Sequence, residues 1–583
     1  MTDKELKKLK ENLWHSADML RAESNLAANK YGQPILGLIF LRYADVKYKK
    51  YKDEIEKEYN RINNDPNGRF EKSVEEISKE ICKFYLPENA YYDYINNAPD
   101  DANKATLVKE AMQAIEKYNK ELEGALPKEV YGELVPEDSP ELLSKIIRVF
   151  KDIPEDISID LFGEIYEFFL GKFALAEGKD GGVFYTPATV VRYMVEVLNP
   201  EAGGEKKFLD PACGSGGMFV QAARYMHHHN KAKNNEMIFR CYGVEKETET
   251  VKLAKMNLLL NGVRGEITKA NSFYSDPYNA FESFDYVMAN PPFNVDEVEY
   301  EKVKDDKRFN TYGIPKNKSK SAKKTSDKKE TVPNANYLWI SYFASALKEN
   351  GKAALVMANS ASDAGNSEYE IRKKMIEEGL IKQMVTLPSN MFTSVTLPAT
   401  LWFFDKTKVN TDKKDEILFI DARNVFTQVD KAHRKFSEEQ IKNLGIITKL
   451  YDGDEQAYID LIEEYTQNLN NAPEKSDNEE VKAKLYWQAQ IDWLQQRFPE
   501  GKYQDVIGLC KVAKIDGEDG IKEQDYSLNA GRYVGVVIED DGMTEDEFKS
   551  IIKDLNDTLN ILDNQSKLIT EEIKKNIIDL FGE

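Results

Sequence analysis

Hydrophobic residues recur at mixed spacings of three and four along the first 150 residues, which is the spacing of amphipathic helices. The positions that carry this pattern are Trp14, Leu20, Leu26, Ile35, Leu36, Leu38, Ile39, Leu41 and Tyr43. Clusters of Asn, Asp, Pro and Gly at 63–68 and 96–100 interrupt the pattern and predict loops. The region is therefore predicted to be helical, and it contains no group of residues with an evident catalytic chemistry.

After residue 200 the pattern changes to short apolar runs bounded by turn residues, which predicts strands that alternate with helices. Strands are predicted from Lys207 onward and at 241–244, 267–270, 284–289, 353–358, 382–387 and 397–404. Such alternation is typical of an α/β fold with a mostly parallel sheet. The link 388–396 is short, so the last two strands are predicted to form an antiparallel hairpin at one edge.

One of these runs, 284–289, is followed by Asn290-Pro291-Pro292-Phe293. The prolines have no N–H to donate, so the strand must stop there. Ligands bind at the carboxyl ends of strands in open α/β sheets. The Asn290 amide oxygen and the Pro291 carbonyl could hold a planar amino group there, with Phe293 as a flat stacking face. The alternative interpretation is a strand that ends in a proline turn with a buried phenylalanine.

This tetrapeptide resembles the Asn-Pro-Pro-Phe site of the N6-adenine DNA methyltransferases. In that family the two acceptors hold the adenine amino group, and the aromatic residue stacks on a base that has left the duplex. The resemblance implies a catalytic site formed by Asn290, Pro291, Pro292 and Phe293.

A glycine-rich turn follows the strand that starts at Lys207, and its glycines permit close backbone approach to a ligand. Dinucleotide folds carry similar loops, but their fingerprint places Gly-x-Gly-x-x-Gly directly after the strand. Here Asp-Pro-x-x-Gly-x-Gly resembles the S-adenosylmethionine (AdoMet) loop of methyltransferases, in which the Asp holds the methionine ammonium group. The resemblance implies AdoMet contacts for Asp210, Ala212, Cys213, Gly214, Ser215, Gly216 and Gly217.

A second segment that fits an AdoMet site precedes a helix predicted at 188–198, with Thr186 as the N-cap. An ordinary capped helix start explains its Thr-Pro pair but not its Phe-Tyr pair. The segment is similar to the methyltransferase motif that closes over the methionine part of AdoMet, which implies cofactor contacts for Val183, Phe184, Tyr185, Thr186 and Pro187.

Polar residues also end the next two predicted strands. Glu245 ends the second strand, where an acid can accept both ribose hydroxyls, although acids are common at strand ends. Asn271 and Ser272 follow the third strand. Many adenine methyltransferases have Asp where Asn271 stands, to accept the amino group of the AdoMet adenine, and the Asn oxygen can do the same.

The last segment, 544–580, carries an apolar seam in alternating steps of four and three, which is a heptad pattern. A long helix with one apolar stripe needs something to pack against, so a partner helix is predicted. Ser566 and Asn576 interrupt the seam, whose members are Phe548, Ile552, Leu555, Leu559, Leu562, Ile569, Ile573 and Leu580.

The net charge of −21 should repel nucleic acid, so a DNA substrate would need a local positive surface or a partner. Residues 301–330, directly after the proposed base pocket, hold ten lysines and one arginine against five acids. Because this segment has few apolar residues, it is predicted to lack a core and to be mobile without a ligand. Phosphate contacts and a merely solvated loop both stay open for it.

The 583 residues, 41% hydrophobic and 31% charged, predict a soluble globular protein of several domains. No apolar stretch reaches the length of a membrane span, and the N-terminus has no signal region, so a cytoplasmic protein without membrane contact is expected. The four cysteines form no Cys-x-x-Cys pair. Adjacent helical residues point about 100° apart, so His227-His228-His229 is predicted to be a solvated helix end. No metal is expected.

Nearly the whole chain resembles the modification (M) subunits of Type I restriction–modification systems. The resemblance rests on the opening from Leu13 to Tyr43, on 251–260, on 525–534 and on the motifs above. It implies an α/β class I AdoMet-dependent methyltransferase fold, with a mostly parallel seven-stranded sheet and an antiparallel edge hairpin. The AdoMet loop precedes Asn-Pro-Pro-Phe, which resembles the gamma order. The implied activity is site-specific methyl transfer from AdoMet to N6 of a flipped-out adenine in DNA.

The expected organisation has four parts: an N-terminal helical domain (1–155), a methyltransferase domain (156–430), a mixed, mostly helical extension (431–543) and a long partner helix (544–583). The implied partners are double-stranded DNA, a specificity (S) subunit with two M subunits per S, and a restriction (R) subunit in a full system. In this family the S subunit recognises the DNA sequence.

Two other functions stay open from the sequence. Protein-glutamine methyltransferases have a similar Asn-Pro-Pro site, but the Type I-like N-terminal domain, the C-terminal extension and the lysine-rich segment argue against that substrate. The other is a non-enzymatic scaffold with a degenerate methyltransferase fold, against which stand the intact glycine loop, Glu245 and Asn-Pro-Pro-Phe.

Overall fold

The computed structural model describes most of the chain. The described residues are 3–23, 32–64, 71–82, 84–99, 102–134, 141–157, 159–176, 186–201, 206–228, 239–316, 330–392, 398–430, 433–472, 478–537 and 545–581. The chain forms two compact units, Met1–Val534 and Gly535–Glu583.

Seven helices open the first unit and share one apolar core. They confirm the helical prediction for residues 1–150. Met256 and Leu260, from the sheet-containing region, lie in the same core and join the two regions. The helices are α1 (Asp3–Glu23), α2 (Gly32–Asn63), α3 (Val74–Ile81), α4 (Tyr92–Asn96), α5 (Lys104–Tyr118), α6 (Leu142–Lys151) and α7 (Ile159–Ala176).

A nine-stranded sheet forms the centre of the first unit, in the order β11-β8-β6-β7-β5-β4-β1-β2-β3. All seven strands predicted from the apolar runs are present, and β9 and β10 form a separate two-stranded hairpin. The strands are β1 (Lys207–Asp210), β2 (Arg240–Glu245), β3 (Gly265–Lys269), β4 (Phe284–Ala289), β5 (Leu347–Ala358), β6 (Ile381–Thr386), β7 (Ala399–Asp405), β8 (Glu416–Asp421), β9 (Thr427–Gln428), β10 (Arg434–Lys435) and β11 (Cys510–Lys514).

The sheet is wider than the expected seven strands. β7 runs antiparallel to both β5 and β6, as the predicted hairpin requires. However, β8 pairs in parallel with β6, and β11 pairs with β8, so the hairpin lies inside the sheet and not at its edge. β8 lies within the predicted methyltransferase domain (156–430), and the extension 431–543, expected to be mixed and mostly helical, supplies the edge strand β11.

Helices cover both faces of the sheet. One core cluster joins it to α8 (Ala188–Leu198), α9 (Gly217–His228) and four later helices, and a second cluster joins the other face to the four helices between β4 and β6. The helices after α9 are, in chain order, α10 (Thr248–Leu260), α11 (Tyr300–Val303), α12 (Lys307–Asn310), α13 (Asn336–Ala346), α14 (Ser367–Glu377), α15 (Glu438–Asp452), α16 (Glu455–Asn470) and α17 (Asn478–Arg497). α10 lies between β2 and β3.

The first half of the lysine-rich segment is folded, contrary to the prediction that it lacks a core. It forms α11 and α12, and it buries Val303, Phe309, Tyr312 and Ile314 in the core beneath β4 and β5. The apolar residues are few, but each one faces inward between the charged positions. Residues 317–329, which carry most of the lysines, lie outside the described part of the chain.

The second unit contains one long helix, α18 (Glu545–Phe581). Apolar side chains of the predicted seam are exposed along it, including Leu559 at 62%. Across the described residues, no helix is long and apolar enough to cross a membrane.

Candidate active site

The predicted site residues follow the carboxyl ends of four neighbouring strands. β4, β1, β2 and β3 are adjacent and mutually parallel. Asp210 ends β1, Glu245 ends β2, Asn271 follows β3 and Asn290 follows β4. Because the carboxyl ends of parallel strands lie at one edge of a sheet, the fold collects all four side chains there.

The glycine-rich loop between β1 and α9 is held by hydrogen bonds to its neighbours. The N–H of Cys213 donates to the Val244 carbonyl at 3.0 Å, and Asn257 donates to the Ser215 carbonyl at 2.9 Å. Gly214 and Gly216 have φ of +52° and +75°, a region that glycine adopts without steric cost. A Cβ on Gly216 would lie 2.7 Å from Leu258, whereas a Cβ on Gly214 would meet no atom within 4 Å. The loop is thus packed on its α10 side and open above Gly214.

Asp210 is a buried carboxyl group, 2% exposed, whose Oδ1 accepts the N–H of Ala212 at 3.0 Å. Burial raises the pKa of Asp210 to about 8, and the nearby negative charge of Glu245 adds to that rise, while the Ala212 hydrogen bond opposes it. A buried carboxylate of this kind is stabilised when a cation pairs with it. The position therefore favours a positively charged ligand.

Glu245 is anchored by backbone donors on both oxygens. Its Oε2 accepts the N–H of Gly214 at 3.1 Å, and its Oε1 accepts the N–H of Glu247 at 2.8 Å. A carboxylate oxygen has a second lone pair, so each oxygen can still accept a hydroxyl donor from a ligand. The carboxylate has one orientation and lies beside the glycine loop.

The loop after β3 closes the other side of this region. The Asn271 oxygen Oδ1 accepts the N–H of Phe273 at 3.0 Å and keeps one lone pair for a further donor. The buried Ser272 hydroxyl donates to the Pro211 carbonyl at 2.5 Å. The loops after β1 and β3 are therefore joined by a direct hydrogen bond.

Asn290 is half-buried directly after β4, and its Nδ2 donates to the Thr186 hydroxyl oxygen at 3.1 Å. With the amide nitrogen committed to Thr186, the carbonyl oxygen is the atom that faces away from it and can accept. Pro291 is buried, and Phe293 is half-buried against the cores on both faces of the sheet.

Two asparagines at the start of α13 hold the far end of the Asn-Pro-Pro-Phe turn. Asn294 has φ of +54°, and its N–H donates to the Asn336 oxygen at 2.8 Å. The Asn294 oxygen in turn accepts from Asn334 at 3.0 Å and Asn336 at 2.9 Å. Sequence reasoning missed these three residues. The only local signal is the Asn-Ala-Asn run before an apolar helix.

Thr186 does not cap α8, so that prediction is wrong. Pro187 is the N-cap of α8 and no side chain caps the helix, because the Thr186 hydroxyl accepts from Asn290 instead. Val183, Phe184 and Tyr185 lie outside the described residues. Ala212, Cys213 and Ser215 stand in the loop between β1 and α9, and Gly217 is the first residue of α9.

Within the described residues, one cluster of carboxylates has the spacing to hold a metal ion. It lies among the N-terminal helices and consists of Asp45, Asp93 and Glu155. The ammonium group of Lys49 already contacts all three, at 3.1, 2.6 and 3.1 Å. We read this cluster as an ion-pair network. His227 is exposed at the end of α9, as predicted, and the side chains of the other two histidines lie outside the described residues.

Two family profiles cover most of the chain. The profile for N-6 DNA methylases matches residues 157–541, and the profile for the HsdM N-terminal domain matches residues 9–150. The first match alone spans more than half of the sequence and includes all the site residues above. The chain belongs to the N-6 DNA methylase family, among the Type I methylase subunits.

Curated relatives agree with this membership. The Type I methylase subunit MjaIX of Methanocaldococcus jannaschii is 33% identical, over 98% of this chain and 91% of its own length. The HindI methylase subunit of Haemophilus influenzae is 33% identical, over 81% of this chain and 92% of its own. Both alignments include nearly the full length of the relative.

A solved structure shares the fold of this Type I methylase subunit. The Type I methyltransferase subunit of Streptococcus thermophilus superposes with a TM-score of 0.66, at 21% identity, over 91% of this chain and all of that one. The predicted class I methyltransferase fold is confirmed.

Proposed function

We propose that this N-6 DNA methylase transfers a methyl group from AdoMet to N6 of a flipped-out adenine in DNA, as the modification subunit of a Type I complex. The observation that carries the proposal is Asn290. It lies at the carboxyl end of β4, next to the strand that feeds the glycine loop, with its amide held by Thr186.

The glycine loop and its neighbours have the properties that AdoMet needs. The buried Asp210 carboxylate would pair with the methionine ammonium group, and the anchored Glu245 would accept the ribose hydroxyls. Gly214 leaves open space above its backbone. Asn271 and Ser272 would contact the adenine end. AdoMet supplies an electrophilic methyl group bonded to a positively charged sulfonium sulfur. Because the sulfur carries this charge, it can act as the leaving group without a metal ion.

The Asn-Pro-Pro-Phe turn would hold the target base. The adenine must leave the duplex, because its N6 is paired there, and this costs a few kcal/mol. Stacking on Phe293, worth about 1–3 kcal/mol, would offset part of this cost. The Asn290 oxygen and the Pro291 carbonyl would accept the two N6 hydrogens, which turns the nitrogen lone pair toward the methyl carbon. With N6 held by Asn290 and Pro291, AdoMet held by Asp210 and Glu245 would supply the methyl group and leave as the neutral thioether, and N6 would release one proton to solvent.

The long α18 helix would bind a partner subunit. Its seam is apolar and exposed, and the helix lies in a separate unit. A helical segment of a specificity subunit would cover it, with two modification subunits per specificity subunit. We further propose that a restriction subunit can join the complex. The complex would act in the cytoplasm.

The test is to incubate the chain, purified with the subunits that accompany it, with labelled AdoMet and unmethylated DNA. Mass spectrometry of the nucleosides should find the label in N6-methyladenine. Label in protein glutamine, or tight AdoMet binding without any labelled product, would contradict the proposal.

A further inference from the structure

Arg308 is a buried cation that the proposed chemistry does not use. It lies in α12, within the segment predicted to lack a core, and it is only 3% exposed. Its guanidinium carbon is 4.9 Å from the Phe309 ring centroid and 5.0 Å from that of Tyr342. An arginine is seldom buried this fully unless its donors are satisfied.

The guanidinium donors divide between two neighbours. Nε donates to both oxygens of Asp306 at 3.1 Å, and Nη2 donates to one of them at 2.7 Å. Nη1 donates to the carbonyls of Ser272 at 3.0 Å and Ser275 at 3.1 Å. Asp306 thus fixes the plane of the guanidinium, and the remaining donors hold the loop after β3.

That loop carries the residues proposed to contact the adenine of AdoMet. Asn271 precedes the first carbonyl that Arg308 holds, and Ser272 ties the loop to the carbonyl of Pro211 in the glycine loop. Phe273 packs on Trp339 with ring centroids 4.5 Å apart, so the loop is supported from below by α13 as well.

The same segment touches the loop a second time. The N–H of Glu299 donates to the Tyr274 hydroxyl at 3.1 Å, and the Lys302 ammonium lies 4.9 Å from the Tyr274 ring centroid. Residues 299–308 follow the Asn-Pro-Pro-Phe turn by only a few positions. The chain that leaves the target-base site therefore returns directly to the cofactor side.

We propose that Arg308 is a positioning residue for AdoMet: it fixes the loop 271–275 so that Asn271 and Ser272 meet the adenine end of the cofactor. This rests on the proposed function only in taking AdoMet as the ligand. Arg308 touches neither substrate, and acts through the two carbonyls that it holds.

The test compares Arg308 with Arg372, a matched buried arginine. Arg372 is 2% exposed, donates to the carbonyls of Tyr526 at 2.7 Å and Ala364 at 2.5 Å, and lies over the Tyr369 ring, with none of these contacts on the loop. Arg308→Lys, Arg308→Gln and Arg372→Lys would be made in the full chain with its accompanying subunits. AdoMet affinity would be measured by calorimetry without DNA, and local hydrogen exchange in the same samples.

We expect Arg308→Gln to weaken AdoMet binding at least tenfold and Arg308→Lys to weaken it less, because Lys can still donate to a carbonyl. Amide exchange in 271–275 should quicken in both. Arg372→Lys should lower the melting temperature without changing AdoMet affinity. At saturating AdoMet, the kcat of Arg308→Lys should stay within about threefold of wild type, since the catalytic groups are untouched.

Unchanged AdoMet affinity in Arg308→Gln, or an equal loss in Arg372→Lys, would overturn the proposal. Both results are measurements of AdoMet affinity, so they do not depend on which product the enzyme methylates. A wild-type protein that binds AdoMet but makes no N6-methyladenine would refute the proposed function and leave the role of Arg308 intact.

Discussion

At the scale of single residues, the feature on which the proposed chemistry depends most is the orientation of the Asn290 amide. The sequence indicated that its oxygen is the useful acceptor, but not what fixes it. Thr186 is 104 residues away in the chain, and local rules assigned it to a helix cap. Only the tertiary fold, which places Thr186 beside the end of β4, brings the hydroxyl to the amide, and short-range patterns carry no information about that contact.

The Thr186–Asn290 hydrogen bond gives the first prediction. Thr186→Val removes the acceptor and keeps the shape, so the amide should rotate and kcat should fall by about threefold to tenfold, the worth of one hydrogen bond. Thr186→Ser should recover most of the loss.

Asn290→Ala should abolish methyl transfer while AdoMet affinity stays nearly unchanged. The measurements are steady-state methylation and calorimetric binding, and equal loss of both in Asn290→Ala would refute its catalytic role.

A second prediction concerns proton release at Asp210. Its pKa is about 8 in the folded protein without ligand, yet it must be ionised to pair with the methionine ammonium. AdoMet affinity should therefore rise with pH up to about 8, and then fall as the ligand amine, with an ordinary pKa of about 7.7–8.0, loses its own proton. Calorimetry at pH 6.5 in two buffers with different ionisation enthalpies should show release of about one proton.

Asp210→Asn is the control, and it should bind AdoMet weakly with no proton release. Stability adds an independent check. The pKa of Asp210 in the folded protein, about 8, lies above its ordinary value of 3.8. Between about pH 4 and pH 8, Asp210 is therefore protonated in the folded protein and ionised in the unfolded chain. Stability should then decline as pH rises from about 4 through 8. Without AdoMet, Asp210→Asn should melt above wild type at pH 9. Wild-type binding without proton release would contradict the assignment.

At the scale of elements, apolar periodicity predicted the helical N-terminal region and seven strands of the central sheet. It missed β8, although residues 417–420 form an apolar run like those of the predicted strands, and it missed β11, a short strand with two lysines that pairs with β8 across three intervening helices. It also predicted that 301–330 lacks a core, because composition averages over a segment in which the few apolar residues of 301–316 all face the core. Arg308 is hidden by the same averaging, since a buried arginine in a lysine-rich stretch looks solvated.

The seam of α18 gives a prediction at this scale. Leu559→Asp should abolish assembly with the partner subunit, because it places a charge in an apolar contact. It should leave the melting temperature of the chain itself unchanged, since the side chain is 62% exposed. Asn564→Asp, a similar charge away from the seam, is the matched control and should assemble normally. Native mass spectrometry reads both, and assembly by Leu559→Asp would show that the seam is not the interface.

At the scale of the whole molecule, the net charge of −21 and the separate helical unit both indicate that the chain acts on DNA together with a partner subunit. A chain of this charge is a poor DNA-binding protein by itself, because it repels the phosphate backbone. The residues of the proposed AdoMet site, by contrast, all lie in one compact unit. Cofactor binding should therefore belong to the chain alone, and DNA methylation to the complex.

The most direct measurement of this account is N6-methyladenine formation by the chain alone and by the chain with its accompanying subunits, at equal concentration and saturating AdoMet. Nucleoside mass spectrometry after incubation with unmethylated DNA gives the product in each case. We predict tight AdoMet binding in both samples and N6-methyladenine only in the complex. Equal N6-methyladenine from the isolated chain would contradict the subunit role, and its absence from both samples would contradict the methyltransferase assignment itself.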